Sequence, residues 1–505
     1  MNFKWNKLIT LLLTATVLNA CNCADNQKEK LYKRIVDLES EFWFERSTSQ
    51  VLLNRIIAPE SQIVWSTNFH TAAPVPIGAV GPEKYTEKLK GIIHNDLIGR
   101  VLKEAVNDQI NVILVIGDGM GNSHMSLPVY KRYAEKNNEQ TMFEKIMKEG
   151  TCGYVYTSTS SGLVTGSAAS GTAIACGIKT RMNMIGVDPE GRKLESALAV
   201  AKRKHYLTAL VTDAGITDAT PAVFYAHSVN RNLESQIASQ LLSSQLVDVI
   251  LGGGGGQFIP EGSNLSDYFP NETTNKFVSV RKDTLNLIRG FQQQGYNICF
   301  NLNELQTAPD GQKVIGLFAG GGLPAPIDRD ESTASIPSVE EMSKKALKII
   351  SKQNTPYFSM IECARIDWEA HDNDFGAVYQ AVEDMNQVLK IAYHFYQQNP
   401  KKTLLIFTAD HETGGLEIAY RKMKQPMSKK LASGDVWESK TNPLAYEEYL
   451  KILKRQKKSV SRILMESHSI KELRENLKEN MGIELSNEDA ELLFYTQTNY
   501  KSYKD

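Results

Sequence analysis

The chain has 505 residues, 42% of them hydrophobic, with 57 Lys and Arg against 58 Asp and Glu. That length supports one large core or two to three domains. The balanced charge excludes a strongly basic nucleic-acid binder and a highly charged disordered chain.

At the N-terminus, Lys4 and Lys7 precede the apolar run LITLLLTATVL and then NAC. Charged, apolar and small-residue regions in that order predict an export signal over residues 1–20, too short to span a membrane as a mature helix. The closing LNAC resembles a bacterial lipoprotein processing box with Cys21 as the lipidated residue. Both features imply an exported protein, periplasmic or on the outer surface, with a lipid anchor to the membrane. The other cysteines are Cys23, Cys152, Cys176, Cys299 and Cys363. No close-spaced pair repeats, so a zinc ribbon is not expected, while disulfides among the last four are open in an exported chain.

Residues 21–108 read as an N-terminal extension. KEKLYKRIVDLESEFWFERS has helical periodicity, whereas FHTAAPVPIGAVGPEKYTEK reads as loop because its prolines and glycines break both regular periods. No chemistry is expected there. From residue 109 to 420 apolar, β-branched runs recur: INVILVIG, YLTALVT, VDVILGG, PYFSMIE and KTLLIFTAD. Runs without alternation suit strands buried on both faces. Between them, Ser338 with Glu341 marks a helix start, and Ala377, Ala381, Met385, Leu389 and Ala392 fall at helical spacing. The alternation predicts an α/β fold, a three-layer sandwich with a largely parallel central sheet and helices on both faces. Residues 421–505 lose the strand texture and lean helical. KILKRQKK from Lys451 reads as a solvated helix face.

Polar clusters follow the predicted strands. In VTGSAASGTAIACG, a helix opening at Ser167 would aim free N–H groups at an anion, while the plainer reading is a small-residue helix packed tightly on a sheet. GDGMG offers Asp118; TDAGITDATPA offers Asp213, Asp218 and Thr220; IECARIDWEAH offers Glu362, Asp367 and His371; TADHETGG offers Asp410 and His411. Loops beyond the carboxyl ends of such strands converge on one crevice. Carboxylates meeting there would raise one another's pKa values unless cations intervened, so metal ions are expected. Asp367 and His371 are one helical turn apart. Asp218 and Thr220 are two apart and would point the same way in extended chain. His with Asp suits zinc, and the all-oxygen set Asp118, Thr220 and Glu362 suits magnesium.

Together GDGMG, TGSAASGTA, DATPA, HSVNR, ECARIDWEAH and TADHETGG resemble the signatures of the alkaline phosphatase family, in family order from about Asn111 to Gly415. GLFAGGGLPAPIDRD is similar to a further family segment. The resemblance implies an exported, homodimeric, metal-dependent hydrolase of small phosphate monoesters, with no nucleic-acid partner. It implies Ser167 as the nucleophile of a phosphoseryl intermediate. It implies one zinc on Asp118, Asp410 and His411, a second on Asp367 and His371, magnesium on Asp118, Thr220 and Glu362 with Asp218 reaching it through water, and Arg231 as phosphate clamp.

Three departures bear on this. Gly166 replaces the family's usual Asp, which implies a looser Arg231. Trp368 stands where the family often has Lys or His. After Gly415 no His-Thr motif follows, so the second zinc keeps two recognisable ligands where three are usual. That implies a weak second zinc and reduced activity. The alternative is a metal- and phosphate-binding relic without catalysis. The SAAS loop, HSVNR and the magnesium set argue against a phosphodiesterase or sulfatase of the same superfamily.

Overall fold

The computed structural model describes Leu53 and residues 62–270, 276–352, 355–491 and 493–494. The export signal, Cys21 and the helical-period stretch 28–47 lie outside the described residues.

In chain order the strands are β1 (Ile63–Trp65), β2 (His70–Thr71), β3 (Val75–Val80), β4 (Gly91–His94), β5 (Asn111–Gly117), β6 (Thr151–Tyr156), β7 (Leu207–Gly215) and β8 (Val249–Gly253). They continue with β9 (Asn297–Cys299), β10 (Val314–Leu317), β11 (Tyr357–Cys363), β12 (Thr403–Thr408), β13 (Glu412–Thr413), β14 (Leu416–Ile418), β15 (Arg421–Lys430) and β16 (Val436–Asn442). Ten of these form one sheet in the order β4-β6-β3-β12-β5-β11-β7-β8-β10-β9. Every neighbouring pair is parallel except the two that β3 makes, with β6 and β12. The five runs read as buried strands are β5, β7, β8, β11 and β12. Every residue from Val112 to Gly117 is buried. Successive strand residues face opposite sides, so both faces of β5 are covered. The helices Val339–Ser351 and Phe375–Gln398 pack together, and Asn95–Asn107 packs with Ser167–Cys176 and Ala197–Arg203. The Ser338–Glu341 capping box is formed, and all five apolar positions expected on the long helix are buried.

The stretch read as loop differs. VPIGAV is β3, wholly buried between β6 and β12. Gly78 does not break it: a Cβ there would stand 2.3 Å from Cε1 of Phe407, so glycine admits the aromatic ring of the neighbouring strand. Residues 62–108 are therefore part of the core, not an appendage. The C-terminal stretch also differs. Residues 421–442 form the two-stranded ribbon β15–β16, and helices begin only at Tyr446. Helices Tyr446–Arg455, Val460–Glu466 and Ile470–Met481 follow, the latter two sharing a small apolar core with Leu53. Cys152, Cys176, Cys299 and Cys363 are all free thiols. No described helix is long and apolar enough to cross a membrane.

Candidate metal centre

Sheet register brings the polar loops together. Glu362 on β11 is level with Ile116 on β5 and Thr212 on β7, and Thr408 on β12 is level with Ile116 too. Asp118 and Asp410 each lie two residues beyond that level, over the carboxyl end of the sheet. Gly119 has φ +69, and a Cβ on it would fall 2.8 Å from the Cα of Asp367. The glycine of GDGMG thus makes a left-handed turn and lets the Asp367 helix close on Asp118.

The first cluster centres on His411. Its Nε2 lies 3.2 Å from Ser167 Oγ, 3.3 Å from Asp118 Oδ1 and 3.3 Å from Asp410 Oδ2. Its Nδ1 lies 3.2 Å from Thr413 Oγ1, and that hydroxyl donates to Asp367 Oδ1 at 2.5 Å. A hydroxyl with its proton committed can only accept, so Nδ1 carries the ring proton and Nε2 presents a lone pair. Burial first, and then His70, holds this imidazole well below its usual pKa, in the neutral form. Asp118 Oδ1 and Asp410 Oδ2 are buried and have no hydrogen-bond partner. A lone pair facing two such oxygens is repulsive unless a proton or a metal cation lies between them. Ligand atoms about 2.0–2.1 Å from a tetrahedral zinc stand about 3.3 Å apart, and these separations match.

The second cluster contains a residue that the strand-end motifs did not include. His70, on β2, lies with its Nε2 3.1 Å from His371 Nε2 and 3.7 Å from Asp367 Oδ1. His371 Nε2 is 3.4 Å from Asp367 Oδ2, across the helical turn anticipated for that pair. Both Nδ1 atoms donate to backbone carbonyls, His70 to Thr165 at 2.8 Å and His371 to Asn68 at 2.6 Å. Both Nε2 atoms therefore present lone pairs to each other, which again calls for a cation. His70, Asp367 and His371 form one group able to hold a metal; Asp118, Asp367 and His411 form another. The expectation of only two ligands in the second cluster is corrected. The His-Thr pair sought after Gly415 stands at 70–71, and β2 pairs antiparallel with β13, the Glu412–Thr413 strand. The pair itself was the sequence signal, placed hundreds of residues from where it was sought.

The oxygen set is adjacent. Thr220 Oγ1 donates to Asp118 Oδ2 at 3.3 Å. Glu362 is also bonded by Thr212 Oγ1 at 2.5 Å, a contact the motifs did not reveal. Thr220 sits on a helical turn, Ala219–Ala222, capped by Asp218, so that segment is not the extended chain expected. Asp218 accepts from the Arg231 guanidinium. Arg231 thus has an acidic partner in this structure without an Asp at 166. Asp213 accepts from the Ala364 N–H at 2.6 Å, and its charge reaches Glu362. Trp368 packs its ring on Gly322 and under the Arg365 guanidinium.

Ser167 opens the buried helix Ser167–Cys176, which ends at Gly177 with φ +75. Burial, then the charges of Asp410, Asp367 and Glu362, holds the Asp118 carboxyl well above its usual range. Burial raises Asp410 to about 7 and Glu362 to about 8. Asp367 is drawn the other way, well below its usual range, only when the histidines beside it, His371 first, carry a second proton; burial opposes its charge.

A ten-stranded mixed sheet with helices around it, and metal-competent clusters over its carboxyl end beside a helix-opening serine, define an α/β protein of the alkaline phosphatase kind. The sequence profile of that family matches residues 109–489, and the chain belongs to the alkaline phosphatase family. Alkaline phosphatase 3 of Bacillus subtilis is 37% identical over 324 residues, 63% of this chain and 64% of that protein. The repressible alkaline phosphatase of Saccharomyces cerevisiae is 33% identical over 332 residues, 62% of this chain and 57% of that one. The matches thus span less than two thirds of the length of these relatives. The crystal structure of Thermus thermophilus alkaline phosphatase superposes with a TM-score of 0.61 at 26% identity, covering 77% of this chain and 76% of that one.

Proposed function

We propose that the chain hydrolyses small phosphate monoesters through a phosphoserine at Ser167. The observation that carries this reading is the position of Ser167 Oγ, 3.2 Å from His411 Nε2 in a cluster built for a cation. One zinc would be held by Asp118, Asp410 and His411, a second by His70, Asp367 and His371, and magnesium by Asp118, Thr220 and Glu362, with Asp218 nearby. Bound there, such cations supply Lewis acidity that makes a serine hydroxyl or a water nucleophilic near neutral pH and neutralises charge on the reacting oxygens.

The chain's own groups do the rest. Arg231, oriented by Asp218, presents a planar fork to two phosphate oxygens. Ser167 Oγ forms a bond to phosphorus as the bond to the alcohol oxygen breaks. The alcohol leaves with a proton, and water then cleaves the phosphoserine, returning the hydroxyl and releasing inorganic phosphate. Three histidines with their Nδ1 protons committed need no change of tautomer to present Nε2. The alternative of an inactive relic rested on a missing ligand, and His70 supports the active reading instead.

The same proposal includes export, lipidation at Cys21, a periplasmic or outer-surface location and a homodimer, as the N-terminal sequence and the family resemblance imply. A chromogenic phosphate monoester at alkaline pH, with zinc and magnesium supplied, tests the activity. Turnover should fall to background in Ser167→Ala, and acid-quenched reactions should carry phosphate on Ser167. Turnover that persists in Ser167→Ala would refute the assignment.

A further inference from the structure

The ribbon β15–β16 is not used by the site. Among the described residues no third strand pairs with either of its strands, and a two-stranded hairpin is marginal in water on its own. Between residues 421 and 442 it carries six basic residues, Arg421, Lys422, Lys424, Lys429, Lys430 and Lys440, against two acidic ones, Asp435 and Glu438. The whole chain is at −1, so the ribbon is a concentrated positive element on an otherwise acidic molecule. Its far end is apolar as well: Leu431 is 42% exposed, Val436 60% and Trp437 46%. Directly opposed residues share a face. Lys429 lies opposite Trp437 on one face and Lys430 opposite Val436 on the other, so each face pairs a cation with an apolar side chain.

That combination fits one partner chemistry. Lysines are drawn to an anionic lipid surface, their stems can lie along its apolar margin, and tryptophan prefers the headgroup level. We propose that the ribbon is a docking element for an anionic phospholipid surface. A soluble acidic protein would match the charge but not the exposed Trp437, Val436 and Leu431 at the tip. The proposal does not rest on the phosphatase reading.

The test uses the full chain carrying Cys21→Ser, so that no acyl chain contributes. Co-flotation is measured with phosphatidylcholine vesicles, with and without phosphatidylglycerol. Binding is expected only when phosphatidylglycerol is present, and should weaken as salt screens the lysines. The variant Lys422→Glu/Lys424→Glu/Lys429→Glu/Lys430→Glu should bind roughly a hundredfold or more weakly, and Trp437→Ala should weaken binding less. Circular dichroism and thermal midpoint should be unchanged in both variants. Equal binding to pure phosphatidylcholine would overturn the proposal, as would no binding to either vesicle. So would a loss of oligomeric mass in the charge variant, which would make the ribbon's partner a second copy. Retention of duplex DNA that competes away vesicle binding would assign the ribbon to nucleic acid and overturn it too.

Discussion

The two histidine clusters are built alike but assembled differently. The first takes Asp118, Asp410 and His411 from loops that directly follow β5 and β12, two strands paired side by side. The second takes Asp367 and His371 from one helical turn and completes itself with His70, which arrives on β2 from the other end of the described chain. The rings of His70 and His411 stack with centroids 3.7 Å apart and 19° between planes, so the clusters share a wall. One cluster is a property of the parallel sheet alone; the other exists only when residues 62–80 are docked. A strand-end motif is therefore a sufficient sign of the first and a partial sign of the second.

The largest effect should come from separating the clusters. His70→Ala is expected to leave the first zinc in place and release the second. It should lower turnover roughly a hundredfold or more and reduce zinc bound per chain by one as measured by atomic absorption. Two zincs retained in that variant would mean that His70 is not a ligand. A smaller effect is expected from Thr413, whose hydroxyl touches both clusters, donating to Asp367 and accepting from His411. Thr413→Val should weaken zinc binding at both positions, about 10–100-fold, and Thr413→Ser should restore it. A change confined to one position would show that the hydroxyl does not link them.

The metal-free protein offers a pH test. Burial raises Glu362 to about 8 and Asp410 to about 7, so above the ordinary histidine pKa, between about pH 6.5 and 8, these two carboxyls hold protons in the folded state that the unfolded chain has lost. Stability after chelation should therefore fall as pH rises through that window, and added zinc should cancel most of the fall. A flat thermal midpoint across the window would contradict the assignment. The smallest effect is expected at Gly166. Its Cβ position lies 3.5 Å from His70 Cε1 and 3.3 Å from Met182 Sδ, and Arg231 is already held by Asp218. Gly166→Asp should shift inhibition by phosphate less than about tenfold; a larger gain in phosphate affinity would show that Asp218 does not hold the arginine firmly.

Much of this was legible because the sheet is parallel. Each of β5, β7, β11 and β12 reads as an unbroken apolar run, and the residues just past each run had to share one crevice. The family resemblance then supplied roles. His70 was not legible for the opposite reason. The next strand, β3, carries Pro76 and Gly78, which break the period, and the partners of His70, namely His371 and His411, lie about three hundred positions away. Thr212 and Thr413 were hidden because a hydroxyl in an apolar strand or loop carries no pattern of its own. The ribbon was misread because its exposed, lysine-rich strands lack the alternation that a half-buried strand shows.

The placement of β3 bears on how the molecule is made. β3 lies between β6 and β12, antiparallel to both, and β12 is synthesised more than three hundred residues later. On an emerging chain the earliest buried strand must wait beside an open edge until nearly all the rest has left the ribosome. Contacts of such sequence separation form late and slowly. The second histidine cluster, whose third member rides just ahead of that strand, should be among the last parts of the molecule to take shape, so catalytic competence would appear only after the rest of the sheet is in place.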